Sequence, residues 1–290
     1  MTEENPRRKP SLISIMLIFV IIISITFFVV KEIEAKDVSN KKRSILDVNS
    51  PEYLATKKVE IESYLSSLNE LYGINVYYGD DTTNYASKVN ASVITDLTSI
   101  NSNLKVLFYS LQKYPQSMFE QFKNKEYKLD IILLDKFNNN NIALASKNNL
   151  NEVKLYVSNA ENLERAIHHE LFHIFEYYIS DKDSDVFKDW NTLNPKDFTY
   201  EAKVSELDNK YVYLKKSVDN DITDSFFLTK YSKTSEKEDR AEIFAEMMML
   251  TKDVDYLENG TNIRRKADSI IGVMSNHFSL KNLYFMRFIK

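Results

Sequence analysis

The chain has 290 residues, of which 43% are hydrophobic, and its formal net charge is −4. This length and composition allow one substantial core, with or without a small appended lobe, and the acidic balance offers no basic surface for a nucleic-acid partner. Cysteine is absent, which excludes disulfides and thiolate ligands. Any metal must therefore be held by histidine and carboxylate side chains.

The N-terminal region contains one long apolar segment. Residues 11–30 carry no charged side chain and consist mainly of Ile, Val, Leu and Phe. At about 1.5 Å per residue, a helix of this length spans a bilayer. Because Arg7, Arg8 and Lys9 precede it while charges balance after it, we predict a cytoplasmic tail at 1–10, a transmembrane signal-anchor, and an extracellular remainder. The alternative is a cleaved signal peptide and a secreted protein, although its apolar core is usually only about 7–15 residues long.

The next segments look like a linker and a scaffold. Residues 31–50 are polar and lack periodicity, which is typical of a linker before a folded domain at 51–290. Apolar residues at helical spacing then predict a helix that ends at Gly73 and a second helix at about 97–111. A short strand is predicted between them at 74–78.

Three further strands are predicted before the most informative motif. The continuous apolar run at 129–134 indicates a central strand, and a turn leads into a strand at 142–145. Residues 152–158 alternate, which predicts a half-buried strand with one apolar face made of Val153, Leu155 and Val157. We predict that it is an edge strand, where a peptide substrate can bind as an added strand. The pattern fits an edge strand without a ligand equally well.

The central motif is His169-Glu170-Leu171-Phe172-His173. On a helix, residues four apart stack on one face, so the two histidines can share one zinc ion. Glu170 lies beside them, where its carboxylate can take a proton from a water that the metal activates. The motif predicts a metallopeptidase active site.

The surrounding sequence supports a helix at this motif. Ser158 and Glu161 form a predicted capping box, followed by a core-facing stripe of Leu163, Ile167, Leu171, Ile174 and Tyr178. His168 points away from the face of His169 and His173, so we interpret it as structural. The alternative is an ordinary amphipathic helix that carries two hydrogen-bonded histidines.

A third zinc ligand is needed, because catalytic zinc generally binds three protein groups and a water. Ser235 and Glu238 form a second predicted capping box, which opens a helix that carries Glu242 and Glu246 one turn apart. Like charges at this spacing repel weakly, so they can instead face a metal and a histidine. We predict that Glu242 binds zinc and that Glu246 accepts a hydrogen bond from the outer nitrogen of His169.

Two alternatives to this assignment remain open at the sequence level. The acidic residues can form a solvated helix face without a ligand. Alternatively, Glu176 follows His173 by three residues on the histidine face, although a ligand that near on the same helix must reach back across a turn.

The motif at 169–173, followed about seventy residues later by the Ala-Glu-x-x-Ala-Glu-like segment at 241–246, resembles the zincin (gluzincin-like) metallopeptidases of the anthrax lethal factor and Pro-Pro endopeptidase type. This resemblance implies that Glu242, the first Glu of that segment, is the third zinc ligand. It also implies that Tyr231 assists the transition state, although its spacing to Glu242 is longer than in the lethal factor type. Phe172 stands where the family commonly has Gly.

Together these observations predict an α+β, zincin-like metallopeptidase domain, with a small mixed sheet, an active-site helix and a mainly helical C-terminal part. The predicted function is that of a membrane-anchored extracellular endopeptidase with one Zn²⁺, in which Glu170 is the general base and Tyr231 the oxyanion donor. The expected partners are a peptide substrate and the membrane, with no nucleic acid, and we assume a monomer. The alternatives are a non-catalytic metal-binding or surface interaction domain, and an amidase that acts on cell-wall amide bonds.

Overall fold

The computed structural model describes residues 50–148, 150–200 and 225–288. The chain divides after Tyr53, and the fold below is that of the second unit. In the described ranges, no helix has the length and apolar character needed to cross a bilayer. The predicted anchor at 11–30, the tail before it and nearly all of the linker lie outside the described residues.

The strands of the described residues all lie before residue 160, where they are interspersed with helices, and the described elements after β5 are helical. In chain order they are α1 Pro51–Tyr72, β1 Asn75–Tyr77, α2 Thr83–Lys88, β2 Ala91–Val93, α3 Leu97–Leu111, α4 Glu120–Lys123, β3 Lys128–Phe137, β4 Ala143–Lys147, β5 Glu152–Ser158, α5 Leu163–Lys182, α6 Glu236–Met248 and α7 Asn262–His277. A short 3-10 turn at Tyr231–Lys233 precedes α6. The predicted small mixed sheet and mainly helical C-terminal part are confirmed for these residues.

Gly73 ends α1 as predicted, and two features require glycine there. Its φ of +70° lies in the left-handed region, and a Cβ at this position would lie 2.9 Å from the Lys123 Cα. Left-handed backbone is disfavoured for residues with a Cβ. The position therefore combines a conformational and a steric requirement.

The strands form one mixed sheet in the order β1-β3-β5-β4, and β2 also pairs with β3. β3 is parallel to β1 and to β5, whereas β4 is antiparallel to β5. The prediction that 152–158 is an edge strand is therefore wrong, because this strand pairs on both sides. Side-chain alternation reports which faces a strand buries, and not whether its backbone is paired. Among the described strands, β4 forms the end of the sheet beside β5.

Both faces of β3 are covered, which explains its continuous apolar run. Ile131 and Leu133 belong to the main core, together with residues of α1, α3, α5 and α6. Ile132 and Leu134 point to a smaller cluster that includes Tyr156 and Ala86. The predicted apolar face of β5 also lies in the main core, and this core supports α5.

The start of α5 differs from the prediction. Ser158 does not cap it, since this residue ends β5 and its Oγ donates a hydrogen bond to the Ile142 carbonyl at 2.8 Å. Asn162, with φ +60°, is the N-cap and makes no side-chain capping bond. Strand pairing thus continues through the residue that the sequence pattern assigns to the helix start.

The helices α5 and α6 pack directly against each other. The fully buried ring of Phe172 contacts that of Phe244, with centroids 5.0 Å apart. Phe172 is therefore a core residue that joins the two helices.

His168 is structural as predicted, because it is fully buried and its Nδ1 lies 2.7 Å from the Tyr114 hydroxyl.

Candidate metal centre

His169 and His173 lie side by side on α5, as their spacing predicts. Their ring centroids are 4.9 Å apart, and each residue is only 7% exposed. The opposite face of the helix is anchored in the core by fully buried side chains, which include Ile167, Leu171 and Ile174. The helix therefore holds both rings at one wall of a cleft.

Glu238 brings a carboxylate to both histidines. Its Oε2 lies 2.9 Å from His169 Nε2 and 3.4 Å from His173 Nε2. One potential ligand atom from each of these three residues falls within 4.8 Å of the others. Ser235 caps α6 as predicted, since its Oγ accepts a hydrogen bond from the Glu238 amide at 3.2 Å. The Glu238 side chain, however, points to the histidines.

Glu242 contacts His169 from the other side of the ring. Its Oε1 lies 3.0 Å from His169 Nδ1. Arg165 donates to both oxygens of this carboxylate, at 2.9 and 3.0 Å, and the Thr229 hydroxyl donates to Oε2 at 2.7 Å. Glu242 thus lies where we predicted Glu246, on the outer nitrogen of His169.

The structure places Glu246 and Glu176 in other surroundings. Glu246 accepts a hydrogen bond from the Tyr256 hydroxyl at 2.9 Å, and its Oε2 lies 3.8 Å from Arg165 Nε. Glu176 accepts a hydrogen bond from Arg240 Nε at 2.8 Å. Its other oxygen lies 3.8 Å from Nδ1 of His173, on the ring side that faces away from Glu238.

Glu170 and Tyr231 line the same cleft as the histidines. Glu170 Oε2 accepts a hydrogen bond from the backbone amide of Ala145 in β4 at 2.6 Å. The Tyr231 ring lies 6.0 Å from that of His169, centroid to centroid. The 3-10 turn Tyr231–Lys233 brings this tyrosine to the site directly before α6.

The local charges favour a cation between the rings. Burial raises the pKa of the Glu238 carboxyl, but the His169 and His173 imidazoles lower it by more, to about 2. Burial lowers the pKa of His173, whereas Glu176 and Glu238 raise it to about 10. The carboxylates therefore stabilise positive charge at the histidines, which is the charge that a divalent metal supplies.

Tyr231 keeps its hydroxyl proton in this environment. Burial raises the pKa of Tyr231, and the negative charges of Glu238 and Glu170 raise it further. A protonated phenol is a hydrogen-bond donor. The residue therefore has the protonation state that an oxyanion donor needs.

The cleft at this site has a volume of about 460 Å³. One wall is α5, another is the start of α6, and a third is formed by the residues from Asn141 to Ala145, which include the start of β4. Arg165 and Lys237 also line it. The cleft is large enough for a few residues of an extended chain, within the usual range for ligand sites.

Zinc fits this donor set. Two imidazole nitrogens and one carboxylate oxygen form the three-ligand set of one class of catalytic zinc sites. Ligand atoms of a tetrahedral site with bonds of about 2.0–2.1 Å lie roughly 3.3 Å apart, comparable to the 2.9 and 3.4 Å distances at Glu238. His169, His173 and Glu238 are therefore the residues that would hold the ion.

Sequence reasoning missed Glu238 as a candidate ligand, because the capping box with Ser235 already accounted for a glutamate at this position. Glu238, Glu242 and Glu246 follow one another at four-residue spacing, so any two of them can act as a pair on one helix face. One available signal was Tyr231, since Glu238 lies a helical turn nearer to it than Glu242.

The comparisons with known proteins give a structural likeness. Neither a family model nor a curated protein matches the sequence. The chain is similar to the crystal structure of "a putative zinc-binding metallo-peptidase from Bacteroides caccae", with a TM-score of 0.51 and 17% identity over 81% of this chain and 91% of that chain. At this identity, the likeness shows a shared fold.

Proposed function

We propose that the protein is a zinc-dependent endopeptidase related to the lethal factor and Pro-Pro endopeptidase type. The observation that carries this proposal is the convergence of His169 Nε2, His173 Nε2 and the Glu238 carboxylate in one cleft, with Glu170 in the same cleft. A purely structural metal site has no need of the additional carboxylate. The shared fold with a protein described as a metallo-peptidase supports the same conclusion.

One zinc ion would be held by His169, His173 and Glu238. When bound, zinc lowers the pKa of a water and polarises a carbonyl oxygen. This assignment replaces Glu242 of the sequence-based prediction, because Glu242 faces His169 Nδ1. A carboxylate behind a ligand histidine fixes the orientation and tautomer of the ring, so Glu242 takes the role that we predicted for Glu246.

Glu170 would act as the general base. It takes a proton from the attacking water and passes it to the leaving amine, as general acid–base catalysis requires. The hydrogen bond from the Ala145 amide holds its carboxylate at the cleft wall. Tyr231 would donate a hydrogen bond to the oxyanion that develops on the carbonyl oxygen.

The substrate would be an extended peptide. We now propose that the peptide adds beside β4 and not beside 152–158, because β4 ends the described sheet and its residues Ala143 to Ala145 line the cleft. A peptide beside this strand would pass Glu170, which contacts the Ala145 amide. Main-chain hydrogen bonds would give affinity, and pockets for alternate side chains would give specificity.

We also propose that the domain is anchored by 11–30 and acts outside the cell. The charge asymmetry around this segment supports the orientation. Treatment of intact cells with an external protease should remove the domain and leave residues 1–10 protected. A domain that is cleaved only after lysis would contradict the proposal, and recovery of a shortened chain from the medium would indicate secretion.

The experiment that tests the enzymatic function compares wild type with Glu170→Gln. In the purified 290-residue chain, the substitution should leave the zinc content unchanged and lower peptide cleavage by roughly a hundred- to ten-thousandfold. Glu161→Gln, at an exposed position just before α5, is the matched control and should cleave normally.

Parallel assays on denatured protein and on peptidoglycan separate this function from the alternatives. Cleavage of peptidoglycan alone would indicate a cell-wall amidase. Zinc binding without hydrolysis of either substrate would indicate a non-catalytic metal-binding or surface interaction domain. Equal activity of wild type and Glu170→Gln would exclude Glu170 as the base.

A further inference from the structure

Two arginine–glutamate pairs cross between α5 and α6 behind the metal centre. Arg165 of α5 binds Glu242 of α6 through two hydrogen bonds of 2.9 and 3.0 Å. In the opposite direction, Arg240 of α6 binds Glu176 of α5, with Nε 2.8 Å from Oε1. Each helix therefore contributes one arginine and one glutamate.

Each of these glutamates lies at the outer nitrogen of one histidine. Glu242 Oε1 is 3.0 Å from Nδ1 of His169, and Glu176 Oε2 is 3.8 Å from Nδ1 of His173. The Nε2 atoms of both rings lie on the side of Glu238. The two histidines therefore share one arrangement, with a carboxylate at Nδ1 and the metal side at Nε2.

The second pair has an oxygen that its arginine does not use. Glu176 is 3% exposed, and its Oε2 is buried without a hydrogen-bond partner in the part of the chain that the structure describes. A buried carboxylate oxygen without a partner is costly. His173 Nδ1 lies 3.8 Å from this oxygen. A shift of less than about 1 Å would bring the two atoms to the distance of a normal hydrogen bond.

Arg240 is itself held firmly by its surroundings. Its guanidinium lies 4.3 Å from the centroid of the Phe187 ring and 5.3 Å from that of Trp190, and the side chain is 4% exposed. Such stacking fixes the planar guanidinium. The arginine therefore fixes the position of the Glu176 carboxylate beside the His173 ring.

We propose that Arg165 and Arg240 are positioning residues for the metal centre. Each one directs a carboxylate to Nδ1 of one histidine, so that the ring is oriented with Nε2 toward Glu238 and the metal side. The arginine charge also keeps each buried glutamate from turning toward the metal as a competing ligand. This inference rests on the metal-binding part of the proposed function, and not on proteolysis.

The first test is Glu176→Gln, measured as zinc affinity by competition with a chromophoric chelator. The amide keeps the size of the side chain and an acceptor for Arg240 but removes the negative charge. We expect zinc affinity to fall by about ten- to a hundredfold, with a changed absorption spectrum when Co²⁺ replaces zinc. An unchanged affinity and spectrum would overturn the proposal for this pair.

The second test separates positioning from simple helix pairing. The double variant Arg240→Glu with Glu176→Arg keeps an ion pair between α5 and α6 but places a guanidinium behind His173, where it cannot accept a hydrogen bond. We expect the double variant to melt at a higher temperature than Arg240→Glu alone while zinc affinity stays low. Recovery of both properties would show that the pair only joins the helices.

The controls keep the two tests interpretable. Reversal of the exposed pair Lys182–Glu126, which has a 2.7 Å contact, should leave zinc affinity unchanged. If the double variant does not fold, Glu176→Gln decides the question alone. A wild-type chain that binds no zinc would refute the proposed function itself, whereas normal binding by Glu176→Gln would refute only this inference.

Discussion

The Glu242 carboxylate lies 3.0 Å from Nδ1 of His169, on the ring side opposite the nitrogen that faces Glu238. A carboxylate accepts hydrogen bonds, so Glu242 can accept the Nδ1 proton of His169 when Nε2 binds a metal. The two glutamates, one helical turn apart on α6, therefore have different positions around one imidazole. Their substitution should have different consequences.

The first prediction ranks three glutamates by zinc affinity. Glu238→Ala should weaken zinc binding most, because it removes a proposed ligand and the charge that would balance the metal. Glu242→Ala should cost about ten- to a hundredfold, since it removes the partner of a ligand histidine. Glu246→Ala should cost less than either. Loss of zinc in Glu242→Ala with retention in Glu238→Ala would reinstate the assignment implied by the family resemblance.

The second prediction concerns Tyr231. Tyr231→Phe should lower kcat by roughly ten- to a thousandfold at constant zinc content, because the lost hydrogen bond acts mainly in the transition state. Steady-state kinetics on a cleaved peptide would measure this effect. The exposed Tyr109, on α3, is a suitable control for Tyr→Phe. Equal turnover of Tyr231→Phe and wild type would make Tyr231 a cleft-lining residue without a catalytic role.

The third prediction is an acid-dependent loss of stability through Glu164. The His168 imidazole and then the Lys113 ammonium lower the pKa of Glu164 to about 2, against the effect of burial. The unfolded-state pKa is about 4.3, so the folded state binds fewer protons between these values. This contribution is present above about pH 4.3 and is lost as the pH falls toward about 2.

Urea unfolding at several pH values would test this dependence. Glu164→Gln should lower the free energy of unfolding near pH 6 and should differ less from wild type near pH 2. An offset that stays constant over this pH range would show that the carboxylate charge does not contribute.

The fourth prediction tests the end of α1. Gly73→Ala should destabilise the fold by about 1–3 kcal/mol, because alanine disfavours a positive φ and its Cβ would meet the Lys123 backbone. Gly272→Ala, in α7 with no atom within 4 Å of the added Cβ, should instead be neutral or stabilise by up to about 1 kcal/mol. Denaturant unfolding measures both, and a similar effect of the two substitutions would contradict the argument for Gly73.

Several elements were predictable because their sequence signals are local. The spacing of apolar residues gave α1 and α3, and the continuous apolar run gave β3, whose two faces are both buried. The pairing of β5 was not predictable in this way. Its alternation describes its two faces, whereas its neighbours are set by segments distant in sequence, as the register of β3 with β5 shows.

The sequence by itself determined that His169 and His173 share a helix face, because four-residue spacing on a 3.6-residue period is a property of the helix alone. It could not choose among Glu238, Glu242 and Glu246, which repeat at the same spacing. Only the tertiary structure decided which of them meets the histidines, since the contact of Phe172 with Phe244 and the Ser235 cap fix the position of α6 along α5. A shift of one turn between packed helices exchanges one glutamate for the next without changing any local pattern.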